Sequence, residues 1–314
     1  MNFCPVCGRK RNDENFCPVC GYKFAEIDAS SFYNFNQSQA IKNDIENLNT
    51  AFSMALKEKT EEQERLEKER QEKLEKQFVI AGVILHKYLG DEEVVAVPEG
   101  VEYVGMNAFS NNQTLKKVIL PKSLKKIETN AFGHCGQLET VEMQDGIEEI
   151  DENAFFRCVN LKNINLPSSI TSIGRCCFWE CFALQSVSLP DNLKEINVNL
   201  FFNCKCLSNL KLPKNLVKIK GNAFAKCISL ISVEIPPCVE EIEESVFKGC
   251  THLREVGFPN SLKSIGYNAF IETMLKSVKI PKSCNYTPVD KDNQNDYFHK
   301  LRISFPIECV VEFK

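Results

Sequence analysis

The chain has 314 residues, 38 basic and 42 acidic side chains for a formal net charge of −4, 16 cysteines and one tryptophan. So mild a balance excludes both a strongly basic nucleic-acid binder and an acidic disordered chain. No apolar run reaches the about 18 residues that a membrane span needs, and MNFCPVCGRK lacks the apolar stretch of a secretory signal, so the expected location is the cytoplasm.

Residues 1–27 carry Cys4 and Cys7, then Cys17 and Cys20, each pair inside the pentapeptide CPVCG. Two such knuckles supply four soft thiolates for one tetrahedral ion, and Gly8 and Gly21 allow the tight turn after each. The segment resembles the short zinc ribbons found at bacterial protein N-termini, which implies those four cysteines as the ligands of one structural Zn2+. The CPxCG knuckle also holds iron in rubredoxins, so donor type leaves zinc and iron both open. So few residues have no core of their own, so binding and folding are expected to be one event. Arg9, Lys10, Arg11 and Lys23 offer a nucleic-acid contact, but Asp13, Glu14, Glu26 and Asp28 offset them, and a docking module is the plainer reading.

Residues 28–36 read as a linker, and 37–77 as a helix. Ile41, Ile45, Leu48, Phe52 and Ala55 alternate spacings of four and three, a heptad seam of about two heptads. Lys57 to Gln77 then holds seven basic and eight acidic residues. Opposite charges four apart, Glu61 with Arg65, Glu64 with Lys68 and Glu69 with Lys73, predict an exposed rod about 60 Å long. It serves either as a solvated spacer or as a short coiled coil that dimerises the chain.

Residues 78–97 form the expected N-terminal cap. FVIAGVIL is too short to span a membrane and predicts a hairpin turning at Ala81-Gly82. From 98 to 281 a 23-residue beat runs through eight repeats. Proline marks it at Pro98, Pro121, Pro167, Pro190, Pro213, Pro236 and Pro259, with Gln144 at the vacant node and Pro281 one residue early. Phenylalanine keeps it at Phe109, Phe132, Phe155, Phe178, Phe201, Phe224, Phe247 and Phe270, and cysteine at Cys135, Cys158, Cys181, Cys204, Cys227 and Cys250. One LxxVxLPxxLxxIxxxAFxxCxx repeat cannot bury its apolar side chains alone, whereas stacked copies close a continuous core. The V-x-L alternation predicts a strand, and the I-x-x-x-A-F stretch a turn with a short helical or irregular return. Parallel strands at about 4.8 Å give eight repeats a length on the order of 40 Å. Residues 282–314 break the beat and form the C-terminal cap.

With proline, A-F, cysteine and leucine at these positions, the array resembles the treponemal-type, or BspA-like, leucine-rich repeat. The resemblance implies a repeat solenoid with a parallel β-sheet on its concave side that serves as a binding scaffold. Asn112 and Thr273 replace the ladder cysteine in the end repeats, where one neighbour is missing. The ladder cysteines are expected as free, buried thiols of a reducing compartment.

No catalytic constellation emerges. His134 beside Cys135 invites a dyad, but Cys135 is a rung of the buried ladder. The acidic clusters at Glu148–Glu152 and Glu240–Glu244 fall four repeats apart, about 19 Å at sheet spacing, too far for one carboxylate pair. Surfaces say more. The strand positions Asn163, Asn165, Ser186 and Ser188 form a small polar face, and Phe156, Trp179 and Phe202, with Phe182 nearby, stand directly after the ladder phenylalanine in three consecutive repeats. Elsewhere that position holds Ser110, Gly133, Ala225, Lys248 or Ile271, so stacking does not demand an aromatic. The row either recognises a partner or packs on itself. The reading is a non-enzymatic protein-interaction scaffold. The alternatives are a nucleic-acid-associated regulator working through the ribbon, and a cell-surface adhesin.

Overall fold

The computed structural model describes residues 39–287 and 303–314, with helix side chains from Asn49 onward. The four knuckle cysteines, the linker at 28–36, the seam positions Ile41, Ile45 and Leu48 and the middle of the C-terminal cap lie outside what it describes. Two compact units are present, Met1–Gln71 and Glu72–Lys314.

Helix α1, Gln39–Gln77, exposes Phe52, Leu56 and Leu66. Its charges pair both three and four apart, but not as the expected Glu61–Arg65, Glu64–Lys68 and Glu69–Lys73. Arg65 reaches Glu62 at 2.7 Å and Glu69 at 3.8 Å. Lys73, in the second unit, pairs with Glu92 at 2.6 Å.

The second unit opens with an antiparallel hairpin, β1 (Phe78–Ala81) and β2 (Ile84–Tyr88). The turn is Gly82-Val83, one residue later than the sequence pointed to, because Ala81 still pairs with Ile84. Gly82 sits at φ +60° ahead of a Val83 that stays right-handed, the glycine-first pattern of a two-residue hairpin loop.

From there the chain climbs in repeats, and each contributes two strands. The V-x-L strands recur from Val94–Ala96 to Ser277–Ile280. Those from Val94–Ala96 to Asn209–Lys211 pair in parallel and in register, Val118 opposite Val141 and Val187 opposite both Ile164 and Leu210, and Ser232–Glu234 pairs separately with Glu255–Gly257. Two-residue strands recur from Tyr103–Val104 to Ser264–Ile265 in a second parallel row, Ile127 opposite both Val104 and Ile150, which is interrupted between Ser172–Ile173 and Glu195–Ile196. This second row takes the place of the helical or irregular return. It was hidden because two residues are too few to show an alternation.

The A-F stretch is a run of tandem turns whose amides divide cleanly. The N–H groups of Asn107, Phe109 and Asn111 donate to Thr129, Ala131 and Gly133 of the next repeat, while those of Ala108, Ser110 and Asn112 close turns onto Gly105, Asn107 and Phe109. Alternate amides thus point along the stack, which leaves buried backbone donors satisfied without a helix. Left-handed residues flank the phenylalanine on both sides, as at Asn130 (φ 58°) and His134 (φ 61°). Asparagine is the commonest choice there, since its short polar side chain tolerates that conformation.

All eight ladder phenylalanines form one buried column, with neighbouring centroids 4.8 to 5.5 Å apart. The column outruns the beat. Tyr88 stacks on Phe109 at 5.0 Å and Phe78 meets Tyr88 at 5.1 Å, while Phe305 stacks on Phe270 at 5.2 Å. Strand Val310–Phe313 pairs in parallel with Ser277–Ile280 beside that last rung.

Candidate interaction surface

In three consecutive repeats the A-F turn sends the phenylalanine inward and leaves the next, aromatic side chain on the flank of the stack, whereas Gly133 and Ala225 at the same position are buried. Phe156, Trp179 and Phe202 lie there half-buried, while Phe155, Phe178 and Phe201 are fully buried. Trp179 lies between its two neighbours, 6.1 Å from Phe156 and 4.2 Å from Phe202 by ring centroid. The His134 ring meets Phe156 at 5.2 Å, and the Lys226 ammonium stands 5.5 Å from the Phe202 centroid. The rings thus pack on each other while each remains half-exposed. Phe182 stands apart, making no ring contact with the three among the described residues, and is covered by the Lys205 ammonium at 4.7 Å.

Left-handed residues interleave with the row. Arg157 and Glu180 both take φ 56°, and they join at 3.0 Å, with Asn203 donating to the Glu180 carboxylate at 3.4 Å. Lys226 takes φ 60°. Sequence reasoning weighed His134 only as a catalyst and passed over Lys205 and Lys226. The signal available was their spacing from the aromatics, but nothing in one repeat says which side chains the turns bring together.

The strand face forms a separate surface. Asn163, Asn165 and Ser188 are exposed and Ser186 is half-buried. Ser186 pairs in register with Asn163, and Ser188 with Asn165. The Ser186 hydroxyl donates to the Asn163 side-chain carbonyl at 3.1 Å. Among the described residues no hydrogen bond or ring contact joins these four to the aromatic row, so the structure does not assemble them into one site.

The cysteine ladder has a bonding role. Each thiol from Cys135 to Cys250 donates to the carbonyl of the phenylalanine 26 positions earlier, at 3.1 to 3.3 Å. That carbonyl also accepts the amide closing its own turn, as Phe132 does from Cys135. Burial pushes the Cys135 and Cys250 thiols up to about 12 and the others upward as well. A thiol so held is no nucleophile at neutral pH, which removes the His134–Cys135 dyad. Asn112, in the first repeat, uses its side-chain carbonyl to accept from the amides of Thr114 and Leu115 instead. Thr273, in the last, turns its hydroxyl onto Phe270 of its own repeat.

Among the described residues no group of three or more His, Cys, Asp or Glu is placed to hold a metal ion, and no helix is long and apolar enough to cross a membrane.

Residues 91–205 and 171–290 match the BspA type leucine rich repeat region. Among solved structures, the chain is similar to a leucine-rich repeat protein from Bacteroides ovatus ATCC 8483, at 26% identity and a TM-score of 0.58, over 65% of this chain and 55% of that one. The leucine rich repeat protein of T. pallidum aligns at 31% identity and a TM-score of 0.44, over 59% of this chain and 81% of its own. A leucine rich cell surface protein from Faecalibacterium prausnitzii A2-165 aligns at 19% identity and 0.31. This chain thus spans about half the length of the B. ovatus protein. No curated protein matches it.

Proposed function

This chain belongs to the BspA-type leucine-rich repeat family, whose solenoids generally serve as protein-interaction scaffolds, and from that premise we propose that it captures a protein partner on the flank of its stack and catalyses no reaction. The observation that carries the reading is the run of half-buried aromatics at Phe156, Trp179 and Phe202, in a position that the other repeats fill with serine, glycine, alanine, lysine or isoleucine. Clustered aromatics of this kind are where binding energy concentrates. The test compares the full chain with its Phe156→Ala, Trp179→Ala, Phe202→Ala triple variant in cross-linking and co-purification from cell extract. The reading requires partners that the parent retains and the variant loses while both keep the same circular dichroism. Equal recovery would reject it.

At the N-terminus we place one structural zinc on Cys4, Cys7, Cys17 and Cys20, on the chemistry of four thiolates in paired knuckles. The ribbon then acts as a second docking module. Metal analysis of the full chain should give about one zinc per chain, falling with a Cys17→Ser, Cys20→Ser change; iron instead would replace zinc in the reading. The bonded, unpaired ladder thiols support residence in a reducing compartment, the cytoplasm.

A further inference from the structure

The aromatic row does not stand alone. Toward the C-terminal repeats it runs into Lys226 and, one repeat on, Lys248, neither of which has a carboxylate within ion-pairing distance among the described residues. Other lysines of the stack divide: Lys126 holds Glu149 at 2.9 Å and Asp151 at 3.1 Å and Lys218 holds Glu241 at 2.9 Å and Glu243 at 2.7 Å, whereas Lys122, Lys125, Lys194, Lys211 and Lys276 make no ion pair among the described residues. Lys226 and Lys248 are backbone neighbours, the Lys226 amide donating to the Lys248 carbonyl at 2.7 Å. Of the acids on the row, Glu180 is occupied by Arg157 and Asn203, and Glu272, two repeats past Lys226, sets its carboxylate beside Gly249. A chain that is acidic overall therefore presents an apolar ridge with two lysines, Lys226 and Lys248, at its C-terminal edge.

The stacking decides what such a ridge can hold. Trp179 lies between Phe156 and Phe202, His134 covers Phe156, and Lys226 covers Phe202. Flat ligands that need a free aromatic face, nucleobases above all, would have to pry the rings apart. The half-exposed rings and the lysines suit aliphatic or aromatic side chains interspersed with carboxylates. Resting on the reading of this row as a protein-binding surface, we propose that it binds an acidic segment of a partner protein, with an apolar side chain against Trp179 and Phe202 and carboxylates on Lys226 and Lys248.

Trp179 is the one tryptophan in the chain, so its fluorescence reports on the ridge alone. The full chain is titrated with four synthetic probes: a peptide of Leu and Phe among glutamates, the same peptide with lysine for glutamate, the same with serine for glutamate, and oligothymidylate. The glutamate peptide should shift the emission and bind at least about tenfold more tightly than the other three, an advantage that shrinks with salt. Lys226→Glu with Lys248→Glu should remove that advantage, and Lys226→Gln should reduce it. Lys122→Glu, an exposed lysine in an early repeat, should leave it unchanged. A shift given equally by the serine peptide and untouched by the lysine changes would overturn the acidic preference while keeping the row as a peptide site. Preference for oligothymidylate, or no shift with any peptide, would overturn both.

Discussion

The thiol of Cys204 donates to the carbonyl oxygen of Phe178 at 3.1 Å, reaching one repeat back across the stack. The same bond repeats along the ladder and ties six phenylalanine rungs, Phe109 to Phe224, to the repeat that follows. It needs the proton. Burial raises the thiols above their ordinary value of about 9, with Cys135 and Cys250 up to about 12. Because the folded value exceeds the unfolded one, this stabilisation is complete below about pH 9 and drains away as pH climbs toward 12. Within that window each such thiol costs up to about 1.4 kcal/mol per pH unit. Denaturant midpoints should fall steeply above pH 9, and a Cys135→Ala, Cys250→Ala variant, weaker at pH 7, should fall less steeply. Parallel slopes for parent and variant would contradict this.

Adjacent aromatics should separate by role. Phe178→Ala empties a fully buried rung flanked by Phe155 and Phe201 and should cost about 3 to 5 kcal/mol. Trp179→Ala removes a half-buried ring whose main gain is stacking on Phe202, and should cost about 1 kcal/mol. Chemical denaturation of the two variants decides, and equal losses would make Trp179 part of the core.

What could be read in advance follows from the same geometry. The column was legible because stacking places identical residues at one spacing, and the eight phenylalanines never leave it. Its end rungs were not: Tyr88 precedes Phe109 by 21 positions and Phe305 follows Phe270 by 35, since caps meet the stack through a hairpin and a long excursion rather than a repeat. The aromatic row was visible as a departure from the pattern. Its covering by His134 and Lys226 depends on left-handed turns that aim side chains from neighbouring repeats at one another.

Those turns make a separable prediction. Asn222 sits at φ 56° and its amide donates to Glu244 of the next repeat at 3.0 Å. Any L residue other than asparagine, aspartate or glycine is disfavoured there by roughly 1–2 kcal/mol. Asn222→Ala should therefore lower stability by about 1 kcal/mol, while Asn222→Gly, which accepts the conformation freely, should stay within about 0.5 kcal/mol of the parent. Thermal melts of the pair would refute the conformational account if glycine proved the worse substitute.

The position of a rung along the stack should decide how its loss is felt. In a repeat array stability is approximately a sum of repeat terms and nearest-neighbour interfaces. Removing Phe178 breaks two ring contacts in the interior, whereas among the described residues Phe305 touches the column through Phe270 alone, with Phe258 and Tyr286 on its edges. Phe305→Ala should therefore open the last repeat without unfolding the array. Amide exchange should quicken at Asn268 and Phe270, whose N–H groups donate to Ile303 and Ser304, and stay slow at Phe132 and Phe155. Phe178→Ala should instead raise exchange in the repeats on both sides of it. Uniform quickening in the Phe305 variant would mean that the stack unfolds as a single cooperative body, and the nearest-neighbour description would have to be abandoned.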